Sequence, residues 1–165
     1  MKRLVTVLVL ASLAGCKNYS QPQEKTGLEG NPLPAFSLFL ADSVTHFNTA
    51  IIPEGKPIAL FYFGPYCPYS RAEMDDILSH MKTFSNIRFY LITSSPFSDL
   101  KAFYDHYNLK KYKNIVTGVD SGYFFVNYFK ANLVPYLAIY TKQKKLNQVL
   151  IGKSDISALN NIASE

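Results

Sequence analysis

The sequence predicts an α/β fold, with one central mixed β-sheet and helices on both faces. Three observations carry that expectation. An apolar run at 58–63, a helix-patterned segment and a second apolar run at 87–93 follow in strand–helix–strand order. Two later runs, 136–140 and 148–151, are joined by a polar turn so short that it forces an antiparallel hairpin. Between the first strand and its helix sits a cysteine, Cys67. A length of 165 residues fits one domain, and 48% hydrophobic residues supply its core.

At the N-terminus, Met1-Lys2-Arg3 is basic, and 4–13 is an apolar run too short to span a bilayer as a helix. It ends in Leu13-Ala14-Gly15-Cys16, which resembles the lipobox of bacterial lipoproteins. That resemblance implies a signal peptide over 1–15, cleavage before Cys16 and lipidation of the Cys16 thiol. By the sorting rule of Gram-negative lipoproteins, Lys17 after the cysteine favours the outer membrane. Residues 16–34 are polar, hold Gly27, Gly30 and three prolines, and show no periodicity. They read as a flexible tether, leaving 35–165 as the folded domain.

Within the domain, 35–41 alternates weakly as a strand, and Asp42-Ser43 signals a turn. Residues 44–52 fit a short strand or a helical turn equally. Proline and glycine make 53–57 a loop. The continuous apolar run 58–63 suits a strand buried on both faces. Met74, Ile77, Leu78 and Met81 then fall on one face of a helix running to about Phe84. Its start is open: Ser70-x-x-Glu73 fits a capping box, whereas Pro68 fits a first turn beginning near Cys67. Aromatic and branched residues make 87–93 a strand parallel to 58–63. Ser98 is a candidate cap for a helix over 99–107. Residues 110–118 look irregular, and 121–131 reads as a third, short helix. After Pro135 come the two hairpin strands, Gly152, and a last helix capped by Ser154 or Asp155, with Ile156, Leu159 and Ile162 inward.

Setting aside Lys2 and Arg3 leaves 15 basic against 12 acidic side chains, a net +3. The lysine groups Lys110-Lys111-Lys113 and Lys142-Lys144-Lys145 read as solvated loops and helix ends, not as a nucleic-acid stripe. Cys16 and Cys67 are the two cysteines, and the first has another explanation, so no disulfide scaffold is expected. His46, His80 and His106 show no ligand spacing. Neither a metal site nor a cofactor is expected.

The order strand, aromatic-Cys-x-x, helix resembles the thioredoxin superfamily, over roughly 33–162. Tyr66-Cys67-Pro68-Tyr69-Ser70, Glu73 and Pro135 carry the resemblance. It is closest to extracytoplasmic thioredoxins of the TlpA-like and redoxin type, with Ser70 standing where the second motif cysteine belongs. The resemblance implies a thioredoxin-like fold and a helix starting near Cys67. It makes Cys67, Ser70 and Glu73 the catalytic set, and Tyr66, Pro68, Tyr69, Val134 and Pro135 the substrate groove, with a cis Val134–Pro135 bond. A helix start would favour the Cys67 thiolate. Glu73 is either a helix-start carboxylate or a proton partner of Cys67. Cytoplasmic thioredoxins carry a buried aspartate where this chain has Phe61, and the peroxiredoxin Thr-x-x-Cys motif is absent because position 64 is glycine.

The expected function is single-cysteine thiol–disulfide exchange in the cell envelope by a lipid-anchored, periplasm-facing protein. Partners would be thiol- or disulfide-containing envelope proteins or small thiols, and the membrane through the anchor, but no nucleic acid. The alternative is a redox-inactive binding module of the same fold.

Overall fold

Residues 58–62 are apolar at nearly every position because the strand they form is covered on both faces. In this computed structural model, which describes residues 25–163 and the backbone alone at 162 and 163, that strand lies inside a seven-stranded sheet. The elements are β1 (Ser37–Leu40), β2 (His46–Asn48), β3 (Ile58–Tyr62), α1 (Pro68–Ser79), β4 (Arg88–Thr93) and α2 (Phe97–His106). They continue with β5 (Ile115–Val119), α3 (Phe124–Phe129), β6 (Tyr136–Tyr140), β7 (Leu146–Ile151) and α4 (Ile156–Ala163). The strand order is β2-β1-β5-β4-β3-β6-β7. Strands β3, β4 and β5 are parallel, and β1, β2, β6 and β7 pair antiparallel with their neighbours.

Successive side chains of a strand point to opposite faces, so the sheet divides the core in two. Ala59, Phe61 and Phe63 join Phe89, Leu91, Leu137 and Ile139 beneath α1, α2 and α4, against Met74, Ile77, Leu100, Phe103 and Leu159. Ile58 and Leu60 join Tyr90, Ile92, Tyr136, Ala138 and Tyr140 on the other face, against Phe125 and Phe129 of α3. Aromatic residues continue each layer. The Phe63 ring lies 4.3 Å from Phe103, and the Tyr62 ring stacks 4.9 Å from Phe125. Such ring pairs add about 0.5–1.5 kcal/mol beyond the area they bury.

The mixed sheet with helices on both faces is the arrangement the sequence predicts, but several elements differ in detail. Residues 110–118 were expected to be irregular, yet Ile115–Val119 forms β5, between β4 and β1. The stretch 44–52 contains both readings: strand β2, then a single 3-10 turn over Thr49–Ile51. Helix α2 begins at Phe97 behind Pro96, so Ser98 lies inside it and does not cap. Helix α3 is shorter than 121–131 because Tyr123 and Lys130, both at φ 53°, bound it in left-handed conformations. Helix α1 ends at Ser79, and Phe84 enters the core from a separate 3-10 turn.

The expected signal peptide of 1–15, Cys16 and the expected tether as far as residue 24 lie outside the described residues. The rest of the tether touches the domain. Gly30 N–H donates to Leu146 O at 2.8 Å, and Leu33 N–H to Lys144 O at 2.9 Å. Leu28 and Leu33 pack against the core. The chain thus enters the fold at the β6–β7 turn.

Candidate active site at the start of α1

Because β3, β4 and β5 run parallel and β6 runs against β3, their connecting segments meet at one edge of the sheet. The Cys67 turn follows β3 there, and the Leu133-Val134-Pro135 segment leads into β6. Helix α1 starts at Pro68, with Cys67 as its N-cap residue in extended conformation (φ −69°, ψ 122°). A proline suits this first position because its fixed φ is helical and its missing N–H would go unpaired anyway. The first helical bond follows, Arg71 N–H to Cys67 O at 3.0 Å. The earlier of the two helix starts left open by the sequence is therefore the one adopted, and the Ser70-x-x-Glu73 capping box does not form.

Cys67 is half-buried and in no disulfide. Its Sγ donates to Val134 O across 3.7 Å, a sulfur-length contact, and the Val134–Pro135 bond is cis. Gly64 permits this closeness. A Cβ at position 64 would lie 3.2 Å from Cys67 Cβ, tighter than side chains ordinarily pack, with Val134 Cγ2 in contact at 3.4 Å.

Burial pushes the Cys67 thiol up, but hydrogen bonds from the Ser70 backbone, the Ser70 side chain and the Tyr69 backbone outweigh it. They leave the thiol below its ordinary value of 9.0. These are groups of the first helical turn, whose N–H groups have no partner within the helix. Ser70 itself is fully buried, and its Oγ accepts from Gly64 N–H at 3.3 Å. It stands behind the sulfur and ties the helix to the turn that precedes it.

Glu73 goes elsewhere. Its carboxylate is fully buried, accepting from Ser154 N–H at 2.9 Å and Ser154 Oγ–H at 2.5 Å. Lys153 Nζ lies 3.7 Å away and also bonds Asp76. Helix α1 begins five residues before Glu73, so Glu73 is not a helix-start carboxylate. Nor are its hydrogen bonds directed to Cys67. It fastens α1 to the segment between β7 and α4. Desolvation raises its pKa, and the Ser154 bonds and Lys153 oppose this without reversing it.

The groove residues divide as well. Tyr66 and Tyr69 are 66% and 65% exposed beside Cys67, while Pro135 is buried and Val134 half-buried. Pro68 is exposed on the helix start. Tyr123 and Leu133, from the segments after β5 and before β6, add further exposed apolar surface to the same edge. Sequence reasoning missed Arg71. Its Nε–H donates to Pro65 O at 2.8 Å and its guanidinium lies 5.8 Å from the Tyr66 ring centre, so it braces the cysteine turn. Its place four residues after Cys67 was the available signal. It also missed Lys153 and the pairing of Ser154 with Glu73, hidden by their distance in sequence from α1. Of the two cap candidates for α4, Asp155 accepts from Ser157 N–H, while the Ser154 hydroxyl goes to Glu73. Phe61 is fully buried in the apolar layer, with Phe63 5.7 Å away.

This sheet order, with a cysteine at the start of α1 facing a cis-proline segment, defines the thioredoxin-like fold. The protein DsbF of Mycobacterium tuberculosis is similar in structure, with a TM-score of 0.67 at 18% identity, covering 80% of this chain and 97% of that one. The thioredoxin domain of a thiol-disulfide oxidoreductase from Bacteroides vulgatus gives 0.67 at 13% identity, over 82% and 97%. An exposed lipoprotein thioredoxin of Streptococcus pneumoniae gives 0.63 at 19%, over 79% and 98%. At such identities the likeness establishes the fold. No protein-family model and no curated protein matches the chain.

Proposed function

We propose that the protein is a thiol–disulfide exchange protein of the cell envelope that works through one cysteine, anchored by lipid at Cys16. One observation carries the reading: a half-buried thiol with lowered pKa at the start of α1, backed by a buried serine where a second thiol would stand. The Cys67 thiolate attacks one sulfur of a substrate disulfide. That S–S bond breaks, the other sulfur leaves as a thiolate, and a mixed disulfide with Cys67 forms. Ser70 cannot resolve it, so a thiol of the substrate or a small thiol attacks next and returns Cys67 as thiolate. Isomerisation and exchange with small thiols fit this cycle better than net reduction. The lipobox at Leu13–Cys16 supports the anchor. Among proteins of the same fold, one is an exposed lipoprotein and another is secreted.

A second reading has its own support. Phe61 is buried and apolar, and Glu73 is held by Ser154, so no carboxylate among the described residues bonds the Cys67 sulfur. A binding module that has lost turnover would look the same. Insulin reduction driven by a dithiol separates the two readings. Wild type should collect mixed disulfides with small thiols and reduce insulin little. Ser70→Cys should form an internal disulfide and raise turnover well above a Cys67→Ser blank. Strong multiple turnover by wild type would refute the monothiol cycle, and an inert Cys67 would favour the binding module.

A further inference from the structure

The sheet separates its chemistry from its charge. The segments before β3, β4 and β5 and after β6 meet at the edge opposite Cys67, because the three parallel strands all start there and Tyr140 pairs with Ile58. Those segments expose Lys56, Lys82, Lys110, Lys111, Lys113 and Lys145. No carboxylate among the described residues forms an ion pair with any of the six. The described acids in the loops of this edge are Glu29, Asp42 and Glu54, and Asp105, in the last turn of α2 just before Lys110, pairs with Lys101. Glu29 accepts from Thr26 and Gly27, and Asp42 from Val44 and Thr45. Lys56, Lys111 and Lys113 come together with Ser85 and Asn114 around an open cavity of about 400 Å³. The Cys67 edge instead exposes Tyr66, Tyr69, Tyr123 and Leu133.

The first described segment lies at the basic edge. Gly30 and Leu33 bond Leu146 and Lys144, and Pro32 bridges to Lys145, so residues 30–33 run beside Lys145 there.

We propose that this lysine edge rests on an anionic phospholipid surface and holds Cys67 on the side of the domain that faces away from the membrane. The inference rests on the tether to Cys16 in the reading above, and it assigns the orientation that the tether alone leaves free. Lysines near an anionic surface each strengthen binding about fivefold. A lipid anchor of two or more chains holds the protein firmly but leaves open which face of the domain meets the membrane, and a basic patch settles that. The five-residue strand β3 separates the two edges by about 17 Å. That exceeds a screening length of about 10 Å, so the surface charge that holds the lysines barely reaches the thiol.

The test is acetylation of lysines on the mature protein in vesicles, read residue by residue by mass spectrometry. One set of vesicles is phosphatidylcholine alone and the other contains added phosphatidylglycerol. With the anionic lipid, the six lysines should label several-fold more slowly at low salt and recover at high salt, while Lys101 and Lys130 stay unchanged. The exposed triple substitution Lys110→Glu, Lys111→Glu, Lys113→Glu should remove the protection. In the full chain carrying Cys16→Ser, the same substitution should weaken binding to anionic vesicles on the order of a hundredfold. If Cys16→Ser chains still show the protection while the mature N-terminus carries no lipid, the anchor fails and the orientation stands. Equal labelling on both lipids, or protection of Lys130 in place of the six, overturns the orientation.

Discussion

Ser70 and Glu73 sit three residues apart on α1, both polar and both fully buried, yet they serve different halves of the molecule. Ser70 faces back toward Gly64 and the cysteine turn. Glu73 faces forward to Ser154, across 81 positions of sequence. Helix geometry explains the split, since positions three apart are neighbours but not in line. One buried polar group stands behind the Cys67 sulfur, and the next holds two distant segments together. A polar residue near a cysteine motif is thus not by proximity part of its chemistry.

Glu73→Ala is the hardest blow to this division. It leaves Ser154 N–H and Oγ–H without their acceptor and removes a partner of Lys153, so chemical denaturation should show a loss of about 3 kcal/mol. The rate of Cys67 alkylation in the remaining folded protein should hardly change. A large fall in that rate would return Glu73 to the active site. Ser70→Ala should do the opposite. It costs about 1–2 kcal/mol through the orphaned Gly64 N–H, but it should move the alkylation midpoint of Cys67 to higher pH. An unchanged midpoint would remove Ser70 from the thiol's environment.

Glu73→Gln gives the smallest effect and sharpens the comparison through pH. The folded pKa of Glu73 is raised, so its favourable contribution is complete below the ordinary value of 4.5 and is lost as pH rises through the folded pKa. The amide has no such loss. The stability of Glu73→Gln relative to wild type should therefore improve as pH rises from 4 toward neutrality. A constant difference across that window would show that burial does not disfavour the charged form.

Strands β3, β4 and β6 were legible because each is a continuous apolar run closed by turn residues. β5 was not, because it is half-exposed at Ile115 and Val116 and carries Gly118. The glycine that hides the strand is required by it, since a Cβ there would come within 2.9 Å of Leu38 Cβ on β1. Cys67 and Pro135 were legible through a motif and its resemblance. The partner of Glu73 was not, because only the packing of β7 and α4 brings Ser154 beneath α1. The lysine groups were read as scattered solvated charge, since nothing in their spacing shows that parallel strands gather them on one edge.

The Tyr66 ring stands exposed beside Cys67, with the Arg71 guanidinium over it and its hydroxyl 3.4 Å from Asp99. The chain has twelve tyrosines and no tryptophan. The protein is therefore dark in the tryptophan emission band, and two of its light-absorbing rings flank the thiol. A tryptophan-bearing partner seated at Cys67 would collect excitation energy from Tyr66 and Tyr69, so the unlabelled complex carries its own optical ruler.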